Sequence, residues 1–203
     1  MKFKKWELAF IFALVVALFG GTAAAKGQSA LADKLVRLHV VANSDSEADQ
    51  GLKMRVRDAI IECLTPKLAG ITDAAEAQGV ISDSFAEIRA AAMEEIRGSG
   101  YEYDVTVSLR NEDFPTRRYD TFSLPAGEYN ALRVEIGDAA GQNWWCVLFP
   151  PICTEVAIGT VDIDDSLGGL TEGEVRLIHE EDGYVIGFKT MEILAKLKIF
   201  LLK

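Results

Sequence analysis

The chain has 203 residues, 49% hydrophobic and 26% charged, with a formal net charge of -10. The length supports one domain with a core large enough to stand alone, and the apolar and charged fractions are those of an ordinary globular protein. Residues 1–25 carry Lys2, Lys4, Lys5 and Glu7, a net +2, so the remainder carries -12. Such acidity repels phosphate backbones and anionic lipid surfaces, which argues against nucleic acid and against membrane adsorption of the domain. It serves solubility or an acidic docking face.

The first 25 residues read as a targeting segment. Lys2, Lys4 and Lys5 form a positive n-region, Leu8 to Phe19 is an uninterrupted apolar h-region, and Ala23-Ala24-Ala25 fits a small-x-small cleavage site. Export with cleavage after Ala25 is expected. No charge occurs from Leu8 to Ala25, so a retained N-terminal anchor is the other reading. In either case the bulk of the chain lies outside the cytoplasm. Residues 26–34 are a linker.

Leu35 to Ala42 alternates and is rich in β-branched residues, which predicts a strand. Asn43 to Ser46 is a polar turn, from which Ser44 or Ser46 can cap a helix from Glu47 to Leu64. Leu52, Val56, Ala59, Ile60 and Cys63 or Leu64 make its buried stripe, with Lys53, Arg55, Arg57 and Asp58 largely off it. Pro66 and Gly70 end it. Ile71 to Arg97 reads as two helices, the first capped by Thr72 or Asp73 and the second by Ser82 or Asp83. The second buries Phe85, Ile88, Ala92 and Ile96. Gly98 and Gly100 stop it.

Tyr103 to Leu109 alternates as a strand, Asp113 to Arg118 is a turn, and Tyr119 to Leu124 a further strand. Pro125 and Gly127 then turn the chain. Tyr129 to Ile136 has a period of two, with Tyr129, Ala131, Arg133 and Glu135 on one face. Gly137 to Asn143 is a polar loop. Trp144 to Phe149 is an apolar run, closed by Pro150-Pro151, that reads as a strand covered on both faces. These last two strands are expected to form a hairpin.

After Cys153 the pattern weakens. A short strand is expected in Ala157 to Ile163 and a helix from the Thr171-x-x-Glu174 capping box to about Glu180. A strand near Tyr184 to Phe188 and a last helix from Thr190 to Leu202, docked on the domain's own core, complete the chain. Asp162, Asp164 and Asp165 lack EF-hand spacing and read as a solvated loop, so no metal site is assigned. The fold expected is α+β: a single domain whose largely antiparallel sheet is packed by helices, with residues 35–153 as its body and 154–203 packing on it.

No catalytic constellation or cofactor motif is evident. The histidines are His39 and His179. His39 has no Cys or His at ligand spacing and reads as structural. The enzymatic alternative is an exported cell-wall hydrolase with Cys146 or Ser44 as nucleophile and His39 as base, which needs those groups within hydrogen-bond reach. Of the three cysteines, Cys63 sits on an apolar stripe and reads as buried and inert. Cys146 and Cys153 flank Phe149-Pro150-Pro151, a reversal that could bring them together. A disulfide between them is expected outside the cytoplasm.

Several blocks carry a resemblance. Arg37-Leu-His-Val-Val-Ala-Asn-Ser-Asp-Ser46, Asp49-Gln50 and Lys53-x-x-Val-Arg-Asp58 resemble the opening of the stage II sporulation protein R family. Phe114-Pro-Thr-Arg117, Leu124-Pro-Ala-Gly-x-Tyr129, Ala131-Leu-Arg-Val134 and Asn143-Trp-Trp-Cys-Val-x-Phe-Pro-Pro151 follow in order. The resemblance runs from about Arg37 to Cys153. It implies a signal rather than an enzyme, exported from the forespore into the space between the two septal membranes. There it would trigger a membrane-embedded aspartic protease of the mother cell, stage II sporulation protein GA, which processes the precursor of sigma factor E. It implies no catalytic residues. A receptor-facing patch is expected from two segments, Asn43, Ser44, Asp45 and Ser46 in the loop after the first strand, and Asn143, Trp144 and Trp145 opening the aromatic strand.

Overall fold

All six residues of Val36–Val41 are buried, and this strand, β1, is the centre of the fold. The computed structural model describes residues 28–119, 122–151 and 170, which divide between two units. The larger unit takes Ala32–Asp113 and Glu128–Thr171. It contains the helices α1 (Glu47–Leu68), α2 (Ala74–Asp83) and α3 (Phe85–Gly98). Its sheet joins β1 to β2 (Val105–Phe114), β5 (Gly127–Ile136) and β6 (Asn143–Phe149) in the order β2-β5-β1-β6. This is the α+β class, with a mixed sheet: β1 runs parallel to β5 and antiparallel to β6.

That order overturns the expected hairpin. Tyr129–Ile136 and Trp144–Phe149 are not neighbours, because β1 lies between them. A strand buried on both faces satisfies its backbone best with a partner on each side. The polar loop at 137–142 therefore passes over the end of β1 instead of making a tight turn.

The helices cover one face of the sheet. Leu52, Val56, Ile60, Leu64 and Leu68 of α1, Ala77 and Ile81 of α2, and Ile88, Ala92 and Ile96 of α3 share one core. Val36, Leu38 and Val40 of β1 and Leu132, Val134 and Ile136 of β5 complete it. Each fully buried Val, Leu or Ile among them contributes about 1.5–3 kcal/mol. Ser46 and Asp73 cap α1 and α2, whereas α3 starts after Ser84 and not after Ser82 or Asp83.

Several boundaries move. α1 continues through Pro66 to Leu68, where Leu68 still buries its side chain, and Gly70 at φ +80° follows its end. Lys53, expected off the stripe, is only 4% exposed, and Cys63 is half-buried rather than buried. β2 reaches Phe114, five residues beyond Leu109.

The smaller unit includes residues 28–31, which are helical, and Phe114–Gly127. The strand expected at Tyr119–Leu124 is here a two-residue ladder, β3 (Arg117–Arg118) antiparallel to β4 (Ser123–Leu124). Tyr119 stacks on Phe122 at 4.5 Å. The expectations for residues 1–25, Cys153, the acidic loop, His179 and the elements from Ala157 to Leu202 lie outside the described residues. Among the described residues no helix is long and apolar enough to cross a membrane, and no His, Cys, Asp and Glu group could hold a metal ion.

Candidate functional site

Where β1 ends, two loops are laced together. Ala42 donates to the Gln142 carbonyl at 3.5 Å, Gly141 to Ala42 at 2.9 Å and Ala140 to Asn43 at 3.1 Å. Side chains complete the lacing: Asp138 N–H donates to Asn43 Oδ1 at 3.0 Å and Gln142 N–H to Asp45 Oδ1 at 2.7 Å. The approach is close enough to require glycine. A Cβ on Gly141 would lie 2.2 Å from the Ser44 carbonyl oxygen, and Gly137 has φ +57°.

Asp49, in the first turn of α1, is the hub beneath this crossing. It is 4% exposed. Its Oδ2 accepts from Ser44 Oγ at 2.5 Å and from Asn43 Nδ2 at 2.9 Å. Its own N–H donates to Ser46 Oγ at 3.1 Å. The hydrogen bonds from Ser44 and Asn43 hold its carboxyl below the usual range, against the opposing effect of burial. Lys53, one turn on, donates to Gln50 Oε1 at 2.5 Å and to the Gln142 carbonyl at 3.1 Å. Burial pushes its ammonium pKa down, with the Asp45 charge opposing. Gln50 in turn donates to the Ser44 carbonyl at 2.8 Å. The Asp49, Gln50 and Lys53 positions of the sequence motif thus brace the Asn43–Ser46 loop.

The face of the sheet away from the helices carries a polar row. His39 Nδ1 lies 2.7 Å from Glu112 Oε2, and its Nε2 lies 2.8 Å from Asn143 Oδ1. Arg133 Nη1 is 3.1 Å from His39 Nδ1 and donates to Glu112 Oε1 at 3.3 Å, while its Nη2 donates to Glu135 at 2.8 Å. Burial raises the Glu112 pKa, but hydrogen bonds from His39 and Arg110 and the charges of His39 and Arg133 outweigh it, and the net shift is downward. Arg37, fully buried, donates from Nε to the Cys146 carbonyl at 2.9 Å and lies over the Tyr129 ring at 5.0 Å.

Both expected segments meet at this end of the sheet, since Asn143 pairs with Val41, two residues before Asn43. The two tryptophans do not act together. Trp144 packs with the helix-side core and lies under the Arg57 guanidinium at 4.6 Å. Trp145 contacts the His39 ring on the opposite face, with centroids 4.6 Å apart. The period of two in a strand forces this split.

Asn43, Ser44 and Ser46 spend their side chains on the loop and the α1 cap, and Asp45 bonds the facing loop. Among them Asp45 and Ser46 are exposed, as is Asn143. Glu112 and Arg133 were not singled out by sequence. The alternation placing Arg133 and Glu135 on one face of β5 was the available signal. Nothing local joins His39 to a carboxylate 73 positions away.

Among the described residues both candidate nucleophiles are engaged away from His39. The hydrogen-bond partners of the His39 ring given above are Glu112, Asn143 and Arg133, and the Ser44 hydroxyl donates to Asp49. Cys146 is disulfide-bonded and lies on the helix side of β6, opposite His39. Cys63 is free, and burial raises its thiol pKa. A thiol in that state is a poor nucleophile.

The family model for stage II sporulation protein R matches residues 32–158. Stage II sporulation protein R of Bacillus subtilis (strain 168) is 42% identical over 121 residues, covering 60% of this chain and 54% of that protein. The chain therefore spans about half the length of this curated relative. No solved structure matches.

Proposed function

The chain belongs to the stage II sporulation protein R family, which ties it to sporulation, and from that premise we propose that it is an exported intercellular signal. It leaves the forespore, enters the space between the septal membranes and activates the membrane-embedded aspartic protease of the mother cell, stage II sporulation protein GA. The protease then processes the sigma factor E precursor. The observation that carries this reading is the family match across 32–158, which takes in most of the larger unit. Three features support it. The N-terminal segment has the tripartite pattern of an export signal. The remainder is acidic enough to remain off anionic lipid, so the membrane is engaged only through that segment. The only described histidine, His39, is built into a structural row.

The test is co-expression with the mother-cell protease and the sigma factor E precursor in a host that does not sporulate, scoring precursor cleavage. Cleavage should rise when the chain is present. It should fall back when residues 1–25 are deleted and the chain stays in the producing compartment. Cleavage no higher than with protease alone would refute the reading.

A further inference from the structure

His39, Glu112, Arg133 and Asn143 come from β1, β2, β5 and β6, one from each strand of the main sheet. Their side chains make a continuous row: Arg133 to Glu112, Glu112 to His39, His39 to Asn143. The middle of the row is buried and its Asn143 end is open. The His39 and Glu112 side chains are 7% and 12% exposed, whereas Asn143 is exposed. Burying a charged row costs desolvation that its pairing only partly returns, so its use is to fix geometry more than to add stability. What it fixes is visible at the open end. The His39 ring contacts Trp145 and holds the Asn143 carboxamide by its oxygen.

We propose that His39, clamped from behind by Glu112 and Arg133, is a positioning residue that aims the Asn143 carboxamide at the partner protein. This rests on the signalling reading above and narrows its surface to the first residues of β6 on the face away from the helices. It also states the chemistry of recognition. With Oδ1 taken by His39, Asn143 presents its two Nδ2 hydrogens outward. The partner must supply an acceptor there, a backbone carbonyl or a carboxylate. Trp145, half-buried beside it, adds aromatic ring surface, while its indole nitrogen is buried and takes no part. Trp144, beneath Arg57 on the other face, takes no part.

Two variants of the full chain separate aiming from folding. Asn143→Asp keeps the oxygen facing His39 and removes the donors. It should lower precursor cleavage about tenfold while Tm stays within about 2 °C of the parent. Glu112→Gln leaves the surface untouched and weakens the clamp. It should lower cleavage several-fold and shift the Asn143 side-chain amide resonances in an NMR spectrum of labelled protein. In an Asn143→Ala background Glu112→Gln should cost nothing further, since its effect passes through Asn143. The proposal is overturned if cleavage falls only in step with Tm. It is equally overturned if Asn143→Asp signals at the parental level, or if Glu112→Gln leaves the Asn143 resonances in place. A parental chain that fails to stimulate cleavage refutes the signalling reading instead, and the Asn143 resonances still decide whether Glu112 and His39 position that side chain.

Discussion

At the scale of single residues, Asp49 concentrates most of the local order. It accepts two side-chain hydrogen bonds while buried, and its pKa is depressed. A depressed carboxylate contributes stability above its unfolded pKa of about 3.9, and that contribution disappears as pH falls through the lower folded value. Ser44→Ala removes the largest cause of the depression. It should cost about 1.5–3 kcal/mol at pH 7, the range for a hydrogen bond to a charged group. It should also flatten the acid limb, so that urea midpoints at pH 7 and at about pH 3 differ less in the variant than in the parent. An unchanged difference would remove Asp49 from the acid response. The thiols make a second residue-level case. Counting reactive thiols after denaturation without reductant should give one, Cys63, if Cys146 and Cys153 are paired. Three would exclude that bridge. Breaking it should cost about 2–3 kcal/mol, because the loop it closes is short.

At the scale of elements, the decisive contact is the loop at 137–142 crossing the end of β1. It works because a glycine stands where the two backbones meet. Gly141→Ala would press a methyl group into the Ser44 carbonyl 2.2 Å away. Both are backbone-held, so relief requires moving a loop, and a loss of about 1–3 kcal/mol is expected in chemical denaturation. Gly98→Ala is the matched control, with nothing within 4 Å of its added carbon. It should be neutral or slightly stabilising by comparison. If the two substitutions behave alike, the crossing is not tight in solution. The start of α1 offers a milder probe: Ser46→Ala removes the cap to Asp49 N–H and should cost about 1 kcal/mol.

At the scale of the whole molecule, an N-terminal sequence with the charge and hydropathy pattern of an export signal precedes an acidic α+β body whose family match ends at residue 158. Intact-mass measurement of exported protein should show an N-terminus after Ala25; one still at Met1 would favour a retained anchor. Surface substitutions should divide by face. Trp145→Ala is expected to lower signalling with little change in Tm, whereas Trp144→Ala, which strips packing from the helix-side core and from Arg57, should lower Tm by several degrees. Equal loss of Tm in both would make Trp145 a core residue as well.

Periodicity alone determined the larger elements. Alternation in Val36–Val41 and in Tyr129–Ile136, the apolar stripe of α1 and the Asp73 cap are local properties, set by side-chain direction and by backbone groups a few residues apart. Ordered motif blocks likewise identified the family. Neighbouring strands were not legible. β1 separates β5 from β6 because a doubly covered strand takes partners on both sides, a preference that no turn signal near Gly137 encodes. The candidate surface followed the same division. The sequence brought Asn43–Ser46 and Asn143–Trp145 to notice. Strand alternation already put Trp144 and Trp145 on opposite faces; only the tertiary structure decided which of them meets the helices and gave His39 a carboxylate from β2, since that pairing arises from four strands assembled side by side and not from spacing along the chain.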